Sequence, residues 1–279
     1  MRNNEERFGA RPSADTPVPQ MANPMDFVKP TEFVELPSKG KMYPQGHPLY
    51  DEETLEIHYM TAKDEDILTS RSLLKKGLAL DRLIQNLVVD KTIRAQDLLI
   101  GDRNAILIAA RASAYGHIYD TNVTCPACGE KSKHKFNLLE PTVEHGGEWE
   151  EEYQIEQNAK GNYIVKLPYT ELLVEIRMLT GVDEIQLVKE TQKNNRKEME
   201  ASVTSQMKKF IVSVNGYTEM QAINHVINNI TAKETRHLRN AYKQLAPDLK
   251  ITSDFECMAC NNEQELEVPF NTDFFWPDR

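Results

Sequence analysis

The sequence predicts an α+β protein built from two related halves, and three observations carry that prediction. A pattern of V-x-L-P followed by E-I-x-x-x-T-x-x-D-E occurs first at Val34, Leu36 and Pro37, then Glu56, Ile57, Thr61, Asp64 and Glu65. It recurs at Val165, Leu167 and Pro168, then Glu175, Ile176, Thr180, Asp183 and Glu184. Each copy is followed by residues of helical period and then by a CxxC motif that runs into an alternating segment. Two occurrences in the same order imply an internal duplication whose unit is strand pair, helices and cysteine hairpin.

Residues 1–30 carry Pro12, Pro17, Pro19, Pro24 and Pro30 among small and polar residues, and read as a flexible tail that is either a solvated leader or a docking arm. The first half then spans 31–140. Alternating apolar residues before Thr61 predict a strand, and the proline-bounded stretch upstream its hairpin partner. Thr61 is the expected N-cap of the following helix, because Asp64 three positions on can reach back to a free amide and meets the positive end of the helix dipole. That helix is expected to stop near Gly77. Next, "LDRLIQNLVV" places Leu80, Leu83, Ile84, Leu87 and Val88 on one helical face, and "DLLIGDRNAILIAARASAYG" does the same with Ile106, Ala109, Ala110 and Ser113.

Residues 141–160, with "EHGGEWEEEYQIEQNAKGN", read as an acidic, exposed linker. The second half, 161–279, repeats the strand pair and places Thr180 as the helix cap. The charged run "KETQKNNRKEME" interrupts its apolar period before "MKKFIVSV" resumes it, and "TAKETRHLRNAYKQLAP" opens on a capping box of Thr231 and Glu234 and stops at Pro247.

Composition restricts the function. A net charge of −10 over 279 residues disfavours broad contact with phosphate backbones. The apolar run Ala105–Ala110 is too short to span a bilayer and "MRNNEERFGA" has no apolar signal core, so a soluble, cytoplasmic chain is expected.

Cys125, Cys128, Cys257 and Cys260 are all the cysteines of the chain. Zinc, a redox pair and structural disulfides compete for them. Reduced cytoplasmic thiols disfavour disulfides. A redox CxxC sits at a helix start, whereas "HKFNL" after the first motif and Leu266, Val268 and Phe270 after the second alternate as strands. Two cysteines on a tight turn, with Gly129 or Asn261 following the second to take the left-handed conformation, are what a zinc knuckle needs. Two knuckles would make one closed, structural site of four thiolates, one zinc per chain, although Cys128 and Cys257 lie 129 positions apart against roughly 15–20 in a compact site. Shared between the halves, the ion's binding free energy becomes folding free energy. His117, His134 and His145 read as surface or neighbouring residues, because the cysteines already complete the shell.

No HExxH, GxSxG, GxGxxG or phosphate-cradling glycine loop occurs. Asp64–Glu65 and Asp183–Glu184 fit capping better than acid–base work. "KSKHKF" beside the first knuckle supports an alternative, a zinc-ribbon nucleic-acid-binding protein, against which stand the acidic "NNEQELE" and the overall charge. Phe274, Phe275 and Trp276 at the C-terminus either pack on the chain's own cysteine hairpin or anchor a partner. The exposed edge of the "VELP" hairpin is the other candidate contact surface.

On "FVELPSKGKMYP", "LEIHYMTAKDEDIL", "LLIGDRNAILIAAR", "VTCPACG" and "FECMAC" through "VPFNTDFFWP", the chain resembles the baseplate hub assembly proteins of T-even-like contractile-tailed bacteriophages, from about Phe33 to the end. The resemblance implies a viral structural or assembly protein that helps build the tail hub without catalysing a covalent reaction. It would act in the host cytoplasm during assembly, and then either leave or stay in the virion tail baseplate. A looser similarity to tail assembly chaperones implies a chaperone role and adds the tape-measure protein to the hub proteins as a partner. Only the four cysteines carry over as a named site.

Overall fold

The structure is a computed structural model, and it describes residues 28–159, 161–193, 203–268 and 272–275. The proline-rich tail through residue 27, and Trp276, lie outside the described residues.

The first hairpin pairs β1 (Thr31–Glu35) with β2 (Thr54–His58), antiparallel, with Val34 opposite Leu55. Alternation buries Val34, Leu36, Leu55 and Ile57 on one face. The long connection between the strands is tied down by a buried carboxylate. Asp102 accepts from the Ser38 amide (3.0 Å), the Ser38 hydroxyl (2.7 Å) and the Tyr43 hydroxyl (2.7 Å), and the Tyr43 oxygen in turn accepts from the Leu99 amide at 3.1 Å. Burial pushes the Asp102 pKa up from its ordinary value even though all three hydrogen bonds pull it down.

Asp64 accepts from the Thr61 amide at 2.9 Å, the reach-back expected of a cap, and opens α1 (Ala62–Thr69). The single helix expected up to Gly77 is two. Thr69 turns its hydroxyl back onto the Glu65 carbonyl (3.0 Å), Ser70 leaves the helical region at ψ 106°, and α2 (Arg71–Lys76) starts afresh before ending on left-handed Gly77. In α3 (Ala79–Leu87), Leu83, Ile84 and Leu87 face the core.

Helix α4 (Ile100–Tyr115) departs furthest from expectation. One apolar face was expected, but Arg103, Leu107, Ile108 and Arg111 are buried as well as Ile106 and Ala110, because neighbouring elements cover it on several sides. Its first turn is pressed against the backbone at Pro247: a Cβ on Gly101 would lie 2.2 Å from the Pro247 carbonyl oxygen.

Two cysteine hairpins, β3–β4 (Ile118–Thr124, Lys131–Asn137) and β11–β12 (Thr252–Glu256, Glu263–Glu267), pack on each other. Residues 141–160 are more than an exposed connection. They supply β5 (Thr142–Glu144), which pairs with β10 (Asp248–Lys250), and β6 (Ile155–Gln157), with Tyr153 and Ile155 buried. The acidic average of the stretch conceals its few apolar anchors.

A four-stranded antiparallel sheet runs β6, β7 (Tyr163–Lys166), β8 (Leu173–Ile176), β9 (Ile211–Val214). Asp183 accepts from the Thr180 amide (3.0 Å) at the start of α5 (Gly181–Lys193) and is paired with Arg177 at 2.7 Å. The stretch "MKKFIVSV" splits into the end of α6 (Val203–Phe210) and β9, since β-branched Ile211, Val212 and Val214 suit a sheet position beside β8. Helices α7 (Met220–Asn229) and α8 (Ala232–Leu245) follow, the latter opened by Thr231 and Glu234. The architecture is α+β, and a final short 3-10 turn (Thr272–Phe275) packs on α4.

Candidate metal centre

Each cysteine pair sits on the turn of its own hairpin, and the two turns repeat one hydrogen-bond scheme. In the first, the Cys125 amide donates to the Glu130 carbonyl and the Gly129 amide to the Cys125 carbonyl, both at 2.8 Å. In the second, the Cys257 amide donates to the Asn262 carbonyl (3.0 Å) and the Asn261 amide to the Cys257 carbonyl (2.8 Å). Gly129 (φ 78°) and Asn261 (φ 52°) take the left-handed conformation that closes each turn.

The hairpins bring all four sulfurs within 4.8 Å of one another. Cys125 Sγ is 3.8 Å from Cys260 Sγ, and Cys128 Sγ is 3.7 Å from Cys257 Sγ, so the close pairs run between hairpins and are unbonded. A tetrahedron of thiolates at about 2.3 Å from an ion has edges of about 3.8 Å. The donor set and its spacing fit a closed four-thiolate site.

The close sulfurs perturb one another's ionisation. The backbone amides of Cys128 and Ala127 donate toward the Cys125 sulfur and bring its thiol down to about 7. For Cys260 the Asn262 amide pulls the same way, but the neighbouring sulfurs of Cys128, Cys257 and Cys125, with burial, push the thiol up to about 12. Crowded thiols resist ionising together until a positive ion sits between them. Cys125 and Cys257 form the buried side, backed by Phe255, Val123 and Leu266, while Cys128 and Cys260 face solvent.

The histidines stand apart from this donor group. His134 stacks edge-on against Phe136 (4.8 Å between centroids) and Phe255 (5.7 Å), and His145 Nδ1 lies 3.0 Å from the Pro37 carbonyl oxygen.

The family described as T4 bacteriophage base plate protein matches residues 29–276. The chain belongs to that family. No curated protein and no solved structure matches it. In this baseplate protein, then, the four sequence-predicted cysteines converge. The candidate partner anchor is corrected in part: Phe274 and Phe275 are 1% and 0% exposed, so their rings are core and offer a partner no face. Phe274 packs edge-on against Tyr119 at the base of the first cysteine hairpin, with centroids 5.0 Å apart. Lys131, Lys133 and Lys135 are exposed on β4, and the outward face of the other hairpin carries Asp254, Glu256, Glu263 and Glu265. Sequence reasoning missed Arg111, which is buried and holds the C-terminal turn, because a single arginine among alanines resembles any helix surface residue. Among the described residues, no helix is long and apolar enough to cross a membrane.

Proposed function

We propose that this baseplate protein is a hub component or hub-assembly factor that works through protein–protein contacts, without covalent chemistry, and that one structural zinc clamps its two cysteine hairpins together. The observation that carries the clamp is the sulfur geometry: two turns 129 positions apart deliver four thiols to one tetrahedral set. A site with four protein ligands has no open position for substrate, so its role is architectural. The all-thiolate shell excludes hard cations such as magnesium and calcium, and zinc is the usual occupant of a closed, structural four-cysteine site.

The same reading takes the chain as a duplication, with residues 31–140 and 161–279 as the two copies. The paired hairpins, the Thr–Asp caps at Thr61 and Thr180, and the identical hydrogen bonds of the two cysteine turns support it. Its place of action is the host cytoplasm during tail assembly and, for a component, the finished tail baseplate, with hub proteins and the tape-measure protein as partners. Family membership supports the baseplate, and the finer assignment to the hub and to a chaperone role rests on the sequence resemblance.

The test is elemental analysis of the purified chain and of Cys257→Ser. One zinc per chain, lost together with cooperative unfolding in the variant, supports the clamp. A metal-free folded chain overturns it, and two zincs per chain would mean that each hairpin finds ligands elsewhere. Immunodetection in hub intermediates and in finished tails separates the two roles: presence in both marks a component, presence only in intermediates marks an assembly factor, and absence from both overturns the hub assignment.

A further inference from the structure

Beside β1 runs an open groove of about 840 Å³. Its floor is the Ala105, Ile108, Ala109 and Ala112 face of α4, and Leu139 and Val143 form the far wall. The near wall is β1 itself, which has one hydrogen-bonded neighbour among the described residues, β2.

Register shows which backbone groups face the groove. The Leu36 amide donates to the Glu53 carbonyl at 2.8 Å, and antiparallel pairing alternates, so Val34 and Glu32 also bond toward β2. The N–H and C=O groups of Phe33 and Glu35 therefore point the other way. The opposite edge of the hairpin confirms the phase: the Glu56 carbonyl, across from Phe33, points outward and accepts from the Val89 amide at 3.1 Å. Among the described residues nothing pairs with the outward backbone of Phe33 or Glu35, and the Phe33 side chain is 70% exposed. An apolar groove running along an open strand edge is the liability that proteins normally cover.

We infer that β1 is a strand-addition site, which accepts an extended segment of a partner protein carrying apolar residues toward α4 and lysine or arginine on its other face. It rests on the protein–protein reading above and specifies the partner's chemistry. Only a backbone supplies alternating donors and acceptors at the spacing of Phe33 and Glu35. The five residues of β1 offer an edge of about 17 Å. The charge of the partner follows from the rim. Glu32, Glu35 and Glu53 line the groove against Lys39. A basic side chain on the partner's outer face would meet Glu35, which shares the exposed face of β1 with Phe33, whereas an acidic strand would be repelled.

The test uses the full chain and a seven-residue capped peptide alternating lysine and valine, with its glutamate–valine counterpart as control, read by fluorescence anisotropy. Phe33→Pro is the diagnostic variant: it deletes an amide that faces the groove and leaves the bonds to β2 in place. Saturable binding of the lysine peptide, at least tenfold weaker for the glutamate peptide and at least tenfold weaker in Phe33→Pro with unchanged thermal unfolding, is expected. Equal binding by the variant, or no binding of the lysine peptide at millimolar concentration, overturns the proposal. So does slow hydrogen exchange at Phe33 and Glu35 in the free chain, which would mean that the chain's own N-terminal residues already fill the edge. Failure here is distinguishable from failure of the baseplate assignment. Absence of the protein from tails and hub intermediates would remove that assignment and leave peptide binding intact, whereas a Phe33→Pro chain that still enters tails normally removes the groove alone.

Discussion

Arg111 Nε donates to the Phe274 carbonyl oxygen at 3.0 Å, joining α4 to a turn 163 positions further along the chain. The guanidinium also donates to the Gly116 carbonyl at 3.1 Å and lies over the rings of Tyr115 (5.0 Å) and Tyr119 (5.7 Å). It thereby ties the end of α4, the root of the first cysteine hairpin and the C-terminal turn into one unit.

Replacing it leaves the buried Phe274 carbonyl without this donor. Arg111→Leu is expected to cost about 2–4 kcal/mol in urea unfolding and to expose the C-terminal turn to carboxypeptidase, with Arg111→Lys intermediate. An unchanged midpoint would show that the clamp contributes nothing to stability.

Close approach at the start of α4 gives a second expectation. Any side chain on Gly101 meets the Pro247 backbone, so α4 and the end of α8 must separate. Gly101→Ala should lower stability by about 1–3 kcal/mol, despite alanine's better helix propensity. A variant as stable as the parent in thermal unfolding would contradict the packing described for this junction.

Glu234 should contribute to acid sensitivity. Its carboxylate is fully buried and accepts from the Thr170 amide and hydroxyl, both at 2.8 Å, and from the Thr231 amide at 3.3 Å. Burial raises its pKa, but these bonds outweigh burial and hold it below the ordinary value. A depressed folded pKa contributes stability that is complete above the unfolded value, about 4.3, and is lost as pH falls through the folded one. Glu234→Gln should therefore unfold earlier than the parent at pH 7, and the difference should shrink below about pH 4. Parallel stability curves from pH 7 to pH 3 would refute the linkage.

On the proposed metal clamp, the left-handed turns should govern how firmly the ion is held. Asn261 at φ 52° tolerates glycine but not a β-branched residue, so Asn261→Gly should keep the metal and Asn261→Val should lose it faster to a chelator. Competition with a chromogenic chelator measures both. Equal release rates would mean that the turn conformation does not organise the sulfurs.

Neutralising Lys131, Lys133 and Lys135 tests the nucleic-acid alternative. No salt-dependent retention on single- or double-stranded DNA is expected from parent or triple glutamine variant, since the adjoining hairpin presents Asp254, Glu256, Glu263 and Glu265. Retention by the parent that the variant loses would restore that reading.

Local chemistry made part of the protein legible from its residues. Thr61 with Asp64, Thr180 with Asp183 and Thr231 with Glu234 are capping signals that act over three residues, and each opens a helix where the spacing predicts one. The alternation around Val34 and Ile57 carries the first hairpin, and the CxxC turns with Gly129 and Asn261 carry the four-cysteine set, because these signals are complete within one element.

Other features needed the assembled chain. Arg111 and Asp102 are polar residues whose burial depends on partners remote in sequence, Phe274, Ser38 and Tyr43. Phe274 and Phe275 could have met a partner or the core, and only the position of α4 and β3 decided for the core. The acidic stretch around Tyr153 hides its anchors in an average, and the break at Ser70 is a small local preference within an otherwise helical run. Caps, turns and alternation are fixed by neighbours a few residues away; burial, clamps and open edges depend on which distant surfaces the fold brings together.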